Sequence, residues 1–434
     1  MTNLTTPRNL PRRLARWTAL GVLYLLVAWA LLEVFLRLVP QVLPRQAFVR
    51  LPGLGMYLYQ GRAWCTEPDD EAEFRFVPGA TLTVPGGARH GDLYALGQCT
   101  PTAEELLHLD RVPDATFTAD GLGFRGRYGE GRPRILFLGD SFVLSKNFPL
   151  NEAWTGRVAD QLQVETINVG LYAYGPPHEY AALARSATEY APDLVLHVLF
   201  DGNDLADAQR WVEWKASGLP FWRWQVRDKS PWETSPVRAL LAWMLDALKE
   251  PEINPLQPFR GAMHGRTVVL AFSPPYLREL AWSPEAVRAE PGWPPMLEAI
   301  RASRELCRRR GIDYRLVLAP SKETVYAPEV LNKVMAHEAG AAAGLPADAD
   351  PMLFVPEALR HQNGFAAAVR EWAEAEGIPC LDLLPAFRRA LHEGRPQSYF
   401  AFDSHWNAVG HEIAAGAVVD YLRPSLSAST GGSP

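Results

Sequence analysis

The chain has 434 residues, 43 Lys and Arg against 49 Asp and Glu, a formal charge of −6 and 48% hydrophobic residues. The length allows one large decorated domain or two ordinary ones, and the composition excludes disorder and collagen-like repetition. A slight acid excess without a basic stripe excludes the electrostatic footprint of a nucleic-acid binder. Four cysteines with no CxxC or Cys/His spacing make neither a disulfide scaffold nor a zinc motif, so no metal and no cofactor is expected.

Residues 1–16 carry Arg8, Arg12, Arg13 and Arg16 and no acid. Trp17 to Leu32 is uncharged, and if Glu33 and Arg37 pair at i, i+4 the apolar stretch runs on to Val39, where Pro40 ends it. At 1.5 Å per residue such a helix is about 34 Å long, enough to cross a bilayer. The arginines place the N-terminus in the cytoplasm. Residues 17–39 thus read as a signal anchor of an inner or plasma membrane, with everything after Pro40 extracytoplasmic. A cleaved signal peptide is the competing reading, through Ala28-Trp29-Ala30, but the run is long for one and Leu31 and Leu32 continue it. Outside the cytoplasm a bridge between Cys65 and Cys99 can form. Cys307, in a helical stretch, and Cys380, in a strand-like one, read as buried thiols.

Residues 40–130, rich in Gly, Pro and polar turns, read as an irregular N-terminal extension, with the acidic run Asp69 to Glu73 as a solvated loop. Across 131–424 the texture changes. The runs RILFLGDS, VETINVG, DLVLHVLFDGND, YRLVLAPS and IPCLDLL alternate with helical patterns, among them 154–163, capped near Asn151-Glu152, and 178–190. Continuous apolar runs between helices predict a mostly parallel sheet covered on both faces, a doubly wound α/β sandwich. An insert at about 205–311 interrupts the alternation. It holds Trp211, Trp214, Trp222, Trp224, Trp232, Trp243, Trp282 and Trp293, a strand candidate at 267–272 and a proline-rich stretch at 284–295. Its tryptophans fill a small core of their own, stack on sugar rings or sit at a membrane interface. Residues 425–434 read as a disordered tail.

In an open α/β sheet the active site forms outside the carboxyl ends of the strands. The first run ends Gly139-Asp140-Ser141, the second Asn168-Val169-Gly170, the third Gly202-Asn203-Asp204, and late in the chain comes Asp403-Ser404-His405-Trp406-Asn407. Ser141 is the candidate nucleophile, His405 the base it needs, and Asp403 the group that orients the imidazole. The N–H groups of Ser141 and Gly170 and the amide of Asn203 are the candidate oxyanion donors. His411 is a rival base but reads more simply as a helix-start residue. Asp140 and Asp204 read as loop anchors and His197 as a core histidine. His178 suits either the pocket or a surface helix start, and Lys322 and Tyr326 lie near the site without an assigned role.

Ser141 in GDS, Gly170, Asn203 in GND, and His405 with Asp403, in that order, resemble the four marker residues of the SGNH/GDSL hydrolase superfamily. GLGFRG at 121–126 and PSKETVY at 320–326 are similar to a membrane-anchored bacterial branch of it. The resemblance implies a flavodoxin-like three-layer α/β/α sandwich and a serine esterase or acyltransferase, often acting on O-acetyl groups of carbohydrates. The family's late block is D-x-x-H, whereas this chain has D-x-H. The D-x-H-W form is similar to that of alginate O-acetylation proteins, in which the pair precedes the serine block. FVLSKNF after Asp140-Ser141 lacks the glycines common in relatives. Three functions follow: a hydrolase of acylated carbohydrate, an O-acetyltransferase for surface polysaccharide using the same site, or a non-catalytic glycan-binding or scaffold protein of the envelope.

Overall fold

The computed structural model describes residues 10–39, 42–44, 47, 51, 66–84, 87–88, 111–112, 114–246, 259–334, 351–362 and 364–430. Cys65 and Cys99 lie outside them. The chain divides into two compact units, residues 1–60 with 220–252, and residues 61–219 with 253–434.

In the first unit one helix, Leu10–Leu38, is long and apolar enough to cross a membrane, with a mean hydropathy of 2.3 over Leu14–Leu38. The expected i, i+4 pair is made: Arg37 Nε donates to Glu33 Oε1 at 2.8 Å. Glu33 also accepts from Ser235 Oγ at 2.6 Å, and Trp29 stacks on Trp232 at 5.7 Å, so the helix Pro236–Asp246 packs beside the long one. An ionisable side chain on an apolar helix is stable when paired and hydrogen-bonded in this way.

The second unit begins with short antiparallel pairs where an irregular extension was expected. β1 (Thr66–Asp69) pairs with β2 (Glu73–Phe76). Of β3 (Thr81–Val84), β4 (Gly87–Ala88), β5 (Arg111–Val112) and β6 (Ala115–Thr118), the outer two pair with each other and so do the inner two. The acidic run is not simply solvated either. Glu73 turns inward at the β1–β2 bend and is fully buried, 3.0 Å from His178 Nε2 and 3.1 Å from Arg210.

A six-stranded sheet follows, made of β7 (Gly126–Tyr128), β8 (Ile135–Gly139), β9 (Thr166–Gly170), β10 (Leu194–Phe200), β13 (Asp313–Ala319) and β14 (Cys380–Asp382). Between β10 and β13 in the chain, β11 (Phe259–Met263) and β12 (Arg266–Leu270) form a separate antiparallel hairpin. The sheet order is β14-β13-β10-β8-β9-β7, parallel throughout except for the edge strand β7. Every residue of β8, β9 and β10 is buried, the mark of strands covered on both faces. Leu194, Leu196, Val198 and Phe200 alternate onto one face, into a core shared with the helices Trp154–Leu162, Leu384–His392 and Ala408–Thr430. The helices Pro176–Tyr190, Asp204–Ser217 and Trp293–Arg310 pack together on the other. This is the expected α/β/α sandwich.

Four boundaries differ from expectation. Helix Trp154–Leu162 is preceded by Ala153, with no side-chain cap, rather than by a cap from Asn151 or Glu152. Pro294 and Pro295 occupy the first turn of Trp293–Arg310, where a missing N–H costs nothing, so that stretch is a sheet-covering helix and not part of an insert. Residues 220–252 belong with the first unit, while 204–219 and the described residues from 259 belong with the second. Residues 425–430 continue the helix from Ala408 instead of starting a tail. Cys307 is buried and Cys380 half-buried, and both are free thiols.

Candidate active site

The turn that carries Ser141 is built from the end of β8. After Gly139 the chain enters a four-residue helix, Ser141–Leu144, capped by Asp140, whose Oδ1 accepts from Phe142 N at 2.8 Å. Burial pushes the Asp140 carboxyl up, against the pull of the Phe142 N–H and of His405. So short a helix leaves its carbonyls without intrahelical donors, and side chains from elsewhere satisfy them. Trp154 Nε1 donates to Phe142 O at 2.8 Å, and Asn168 Nδ2 to Val143 O at 2.6 Å. Arg125 donates to Leu144 O at 2.7 Å, Ser145 O at 3.0 Å and Phe148 O at 2.9 Å. Burial lowers the Arg125 guanidinium to about 9, which still leaves it charged near neutrality. These clamps fix where Ser141 stands.

The late block forms the facing wall. Asp403, buried, accepts at Oδ1 from the His405 N–H at 2.9 Å and from His405 Nδ1 at 2.5 Å. The backbone bond is an Asx turn to the residue two positions on, and it brings the carboxylate against the imidazole across one intervening residue. With Nδ1 carrying its proton toward Asp403, Nε2 is left to accept from Ser141 Oγ, 2.7 Å away. Asn407 Oδ1 caps the helix beginning at Ala408, accepting from Val409 N at 3.0 Å and Gly410 N at 3.2 Å. Trp406 wedges between Phe142 and Phe387, with ring centroids at 4.9 and 5.2 Å.

Lys322, unassigned from the sequence, locks this loop. Fully buried, its Nζ donates to the carbonyls of Phe400, Ala401 and Asp403 at 3.0, 3.2 and 2.8 Å. Tyr326 Oη lies 3.0 Å from Ser398 Oγ and accepts from Ser398 N at 2.8 Å. Both residues come from PSKETVY, so that segment holds the loop that carries Asp403 and His405.

The oxyanion candidates are placed differently from one another. Ser141 and Asn203 follow β8 and β10 while Gly170 ends β9, three adjacent strands with β8 in the middle, and Gly170 is the cross-strand partner of Gly139. The Gly170 N–H donates to Asn168 Oδ1 at 3.2 Å. What Gly170 supplies is space, since a Cβ there would stand 2.3 Å from Leu144 N and displace the turn that carries Ser141. Asn203 Nδ2 donates to Asp207 at 2.7 Å, which leaves its second N–H. Ser141 and His405 line one shallow pocket of about 300 Å³ with Phe142, Phe148, Trp406 and Lys146. Asn203 lines another, of about 350 Å³, with Asp201, Glu279, Trp282 and Glu290.

The other histidines singled out in the sequence have other partners. His411 accepts from Trp154 N at 3.1 Å and burial lowers it to about 3, so it packs beside the site as a neutral ring. His197 is held in the core by Glu179 and Tyr314, each at 2.5 Å. His178 is neither at the pocket nor at the surface but buried against Glu73. Asp204 anchors its loop by accepting from Phe200 N at 2.9 Å.

No protein-family model and no curated protein matches the chain. Among solved structures, a putative lipolytic protein of the G-D-S-L family from Desulfitobacterium hafniense is similar over 67% of this chain and 99% of its own, at 11% identity and a TM-score of 0.32. The aryl esterase of M. smegmatis is similar over 68% and 99%, at 13% identity and a TM-score of 0.33. An acetyl xylan esterase is similar over 67% and 99%, at 12% identity and a TM-score of 0.33.

Proposed function

We propose that this chain is a serine ester hydrolase of SGNH type, attached to a membrane by its first helix, acting outside the cytoplasm on O-acyl, above all O-acetyl, esters of carbohydrate. The observation that carries the reading is the hydrogen-bonded chain Ser141–His405–Asp403, at 2.7 and 2.5 Å, with its serine and histidine open to a pocket. Ser141 Oγ attacks the ester carbonyl while Nε2 of His405 takes its proton, and Asp403 stabilises the imidazolium. The Ser141 N–H and the free N–H of Asn203 receive the charge on the carbonyl oxygen. Collapse expels the alcohol, which recovers the proton from Nε2 and leaves an acyl-serine. Water, deprotonated by His405, then releases the acid and restores Ser141. Neither step draws on a metal or cofactor.

The apolar wall of Phe142, Phe148 and Trp406 and the small volume of the pocket support a short acyl group. The four arginines before an uncharged membrane-length helix support an extracytoplasmic catalytic unit.

The test is labelling of the full-length protein in detergent with a fluorophosphonate. Wild type is labelled and Ser141→Ala is not; undiminished labelling of that variant would sink the assignment. An acyl donor supplied with and without glycan acceptor then separates hydrolysis from transfer. Free acetate in both cases supports the hydrolase, and acetylated glycan replaces it with an O-acetyltransferase.

A further inference from the structure

We propose that His264, Glu329 and His392 form a binding site for one divalent transition-metal ion of the zinc class. The three come from separate elements. His264 sits at the tip of the β11–β12 hairpin, Glu329 on the helix Lys322–Val334 and His392 at the end of the helix Leu384–His392. One ligand atom from each lies within 4.8 Å of the other two.

The spacing distinguishes a metal site from an ordinary ion pair. Both Nε2 atoms face the same oxygen, Glu329 Oε1, at 3.8 Å from His264 and 3.4 Å from His392. Those separations are too long for good hydrogen bonds. They are close to the separation, about 3.3 Å, of two ligands bound tetrahedrally to one ion at zinc-type bond lengths. The rings approach edge to face at 5.1 Å, so each can aim its nitrogen at a common point.

The donor chemistry and surroundings agree. Two imidazoles and one carboxylate suit zinc and its neighbours, and water can fill the remaining position because the three side chains are partly open to solvent. His392 is the last residue of its helix, where the backbone dipole favours a cation. His264 holds a left-handed backbone, φ +45°, as the two-residue hairpin turn His264-Gly265 requires. Arg388, whose positive field also reaches Glu329, is bound by Thr324 O and Gln362 Oε1 at 2.9 and 2.5 Å.

The ion would act as a staple. β12 and the residues flanking it rest on the segment that leads to Asp403: Arg266 Nε donates to Gly394 O at 2.9 Å, Val269 N to Gln397 Oε1 at 3.2 Å and Ala271 N to Ala401 O at 2.9 Å. A metal at the hairpin tip ties that platform to two helices of the sandwich. This inference does not rest on the esterase reading, and its test does not use activity.

The test is calorimetric titration of zinc chloride into full-length, chelator-treated protein in detergent. The expected result is one equivalent bound with a Kd of about 10 µM or tighter, weakened at least about tenfold in each of His264→Asn and His392→Gln and abolished in the double variant. Asparagine is chosen at 264 because it tolerates the left-handed backbone. Melting temperatures in chelator equal to wild type show that the variants are folded; if either is not, Glu329→Gln takes its place. No saturable equivalent in wild type, or unchanged binding in the double variant, overturns the proposal.

Discussion

Two histidines in the second unit keep nearly the same company and do opposite things. His405 lies between a carboxylate, Asp403, and a hydroxyl, Ser141. His197 lies between a carboxyl group, Glu179, and a hydroxyl, Tyr314, at equally short distances. The difference is place. His197 is midway along β10, fully buried with Glu179, and burial lowers it to about 3 while pushing the Tyr314 phenol and the Glu179 carboxyl well up. A ring that cannot take a charge cannot cycle a proton, so this trio serves to satisfy polar groups in the core. His405 follows the strand ends and lines a pocket with Ser141, where the proposed reaction places its substrate. A carboxylate–histidine–hydroxyl chain is therefore a necessary and insufficient sign of catalysis, and exposure at the sheet's carboxyl edge completes it.

Breaking each trio in turn sharpens the contrast. His405→Ala is expected to lower kcat/KM for an aryl acetate by roughly 10⁴-fold, about 5 kcal/mol of transition-state stabilisation, with an unchanged melting temperature. His197→Leu strands two buried polar partners and is expected to cost about 3 kcal/mol of stability, visible as a lower melting temperature, with kcat/KM of the folded protein within about threefold of wild type. A large loss of activity at unchanged stability in His197→Leu would mean that the buried trio takes part in the reaction.

Reading the sequence brings out one half of this contrast better than the other. β8, β9, β10 and β13 are legible because they are covered and so mostly apolar, with Asn168, His197 and Arg315 as the interruptions, and Ser141 and His405 are legible because they follow such runs or close the order of blocks. The supports are not, since their roles depend on partners far along the chain. Arg125 acts on carbonyls 19 to 23 residues away and Lys322 on carbonyls 78 to 81 away. The His264, Glu329 and His392 cluster spans two helices and a hairpin, so no local spacing betrays it. β7 has three residues and no apolar pattern; its place is dictated by β9, along which it pairs. The D-x-H block looked like a departure because sequence spacing does not reveal an Asx turn.

Glu323 is fully buried, and burial pushes it up to about 7 despite Lys322 and the Ser273 N–H, which donates to it at 2.5 Å. A carboxyl raised in the folded state favours folding fully below its ordinary value near 4.5, and that advantage is lost as pH rises through about 7. Glutamine carries no such titration. Relative to wild type, Glu323→Gln should therefore gain about 2–3 kcal/mol of stability between pH 5 and pH 8, read from melting temperatures of both proteins. Parallel melting curves across that range would show that Glu323 is already ionised in the fold.

The smallest expected effect falls on Lys322, and it asks how firmly the loop must be held for His405 to act. Its ammonium donates to the backbone carbonyls of Phe400, Ala401 and Asp403. Lys322→Met keeps the length of the side chain and removes the three donors, which frees the loop carrying Asp403 and His405 to shift by fractions of an ångström. Misplacement on that scale is enough to lower a rate roughly 10- to 100-fold, or about 1.4–2.7 kcal/mol, falling on kcat while KM stays near wild type because the pocket walls Phe142 and Phe148 are untouched. A purely structural lysine predicts something else, a drop in melting temperature with normal turnover of whatever remains folded. The rate of fluorophosphonate labelling at Ser141, measured well below the melting temperature, separates the two: slowed labelling in folded protein makes Lys322 a positioning residue, and labelling at the wild-type rate removes it from that role.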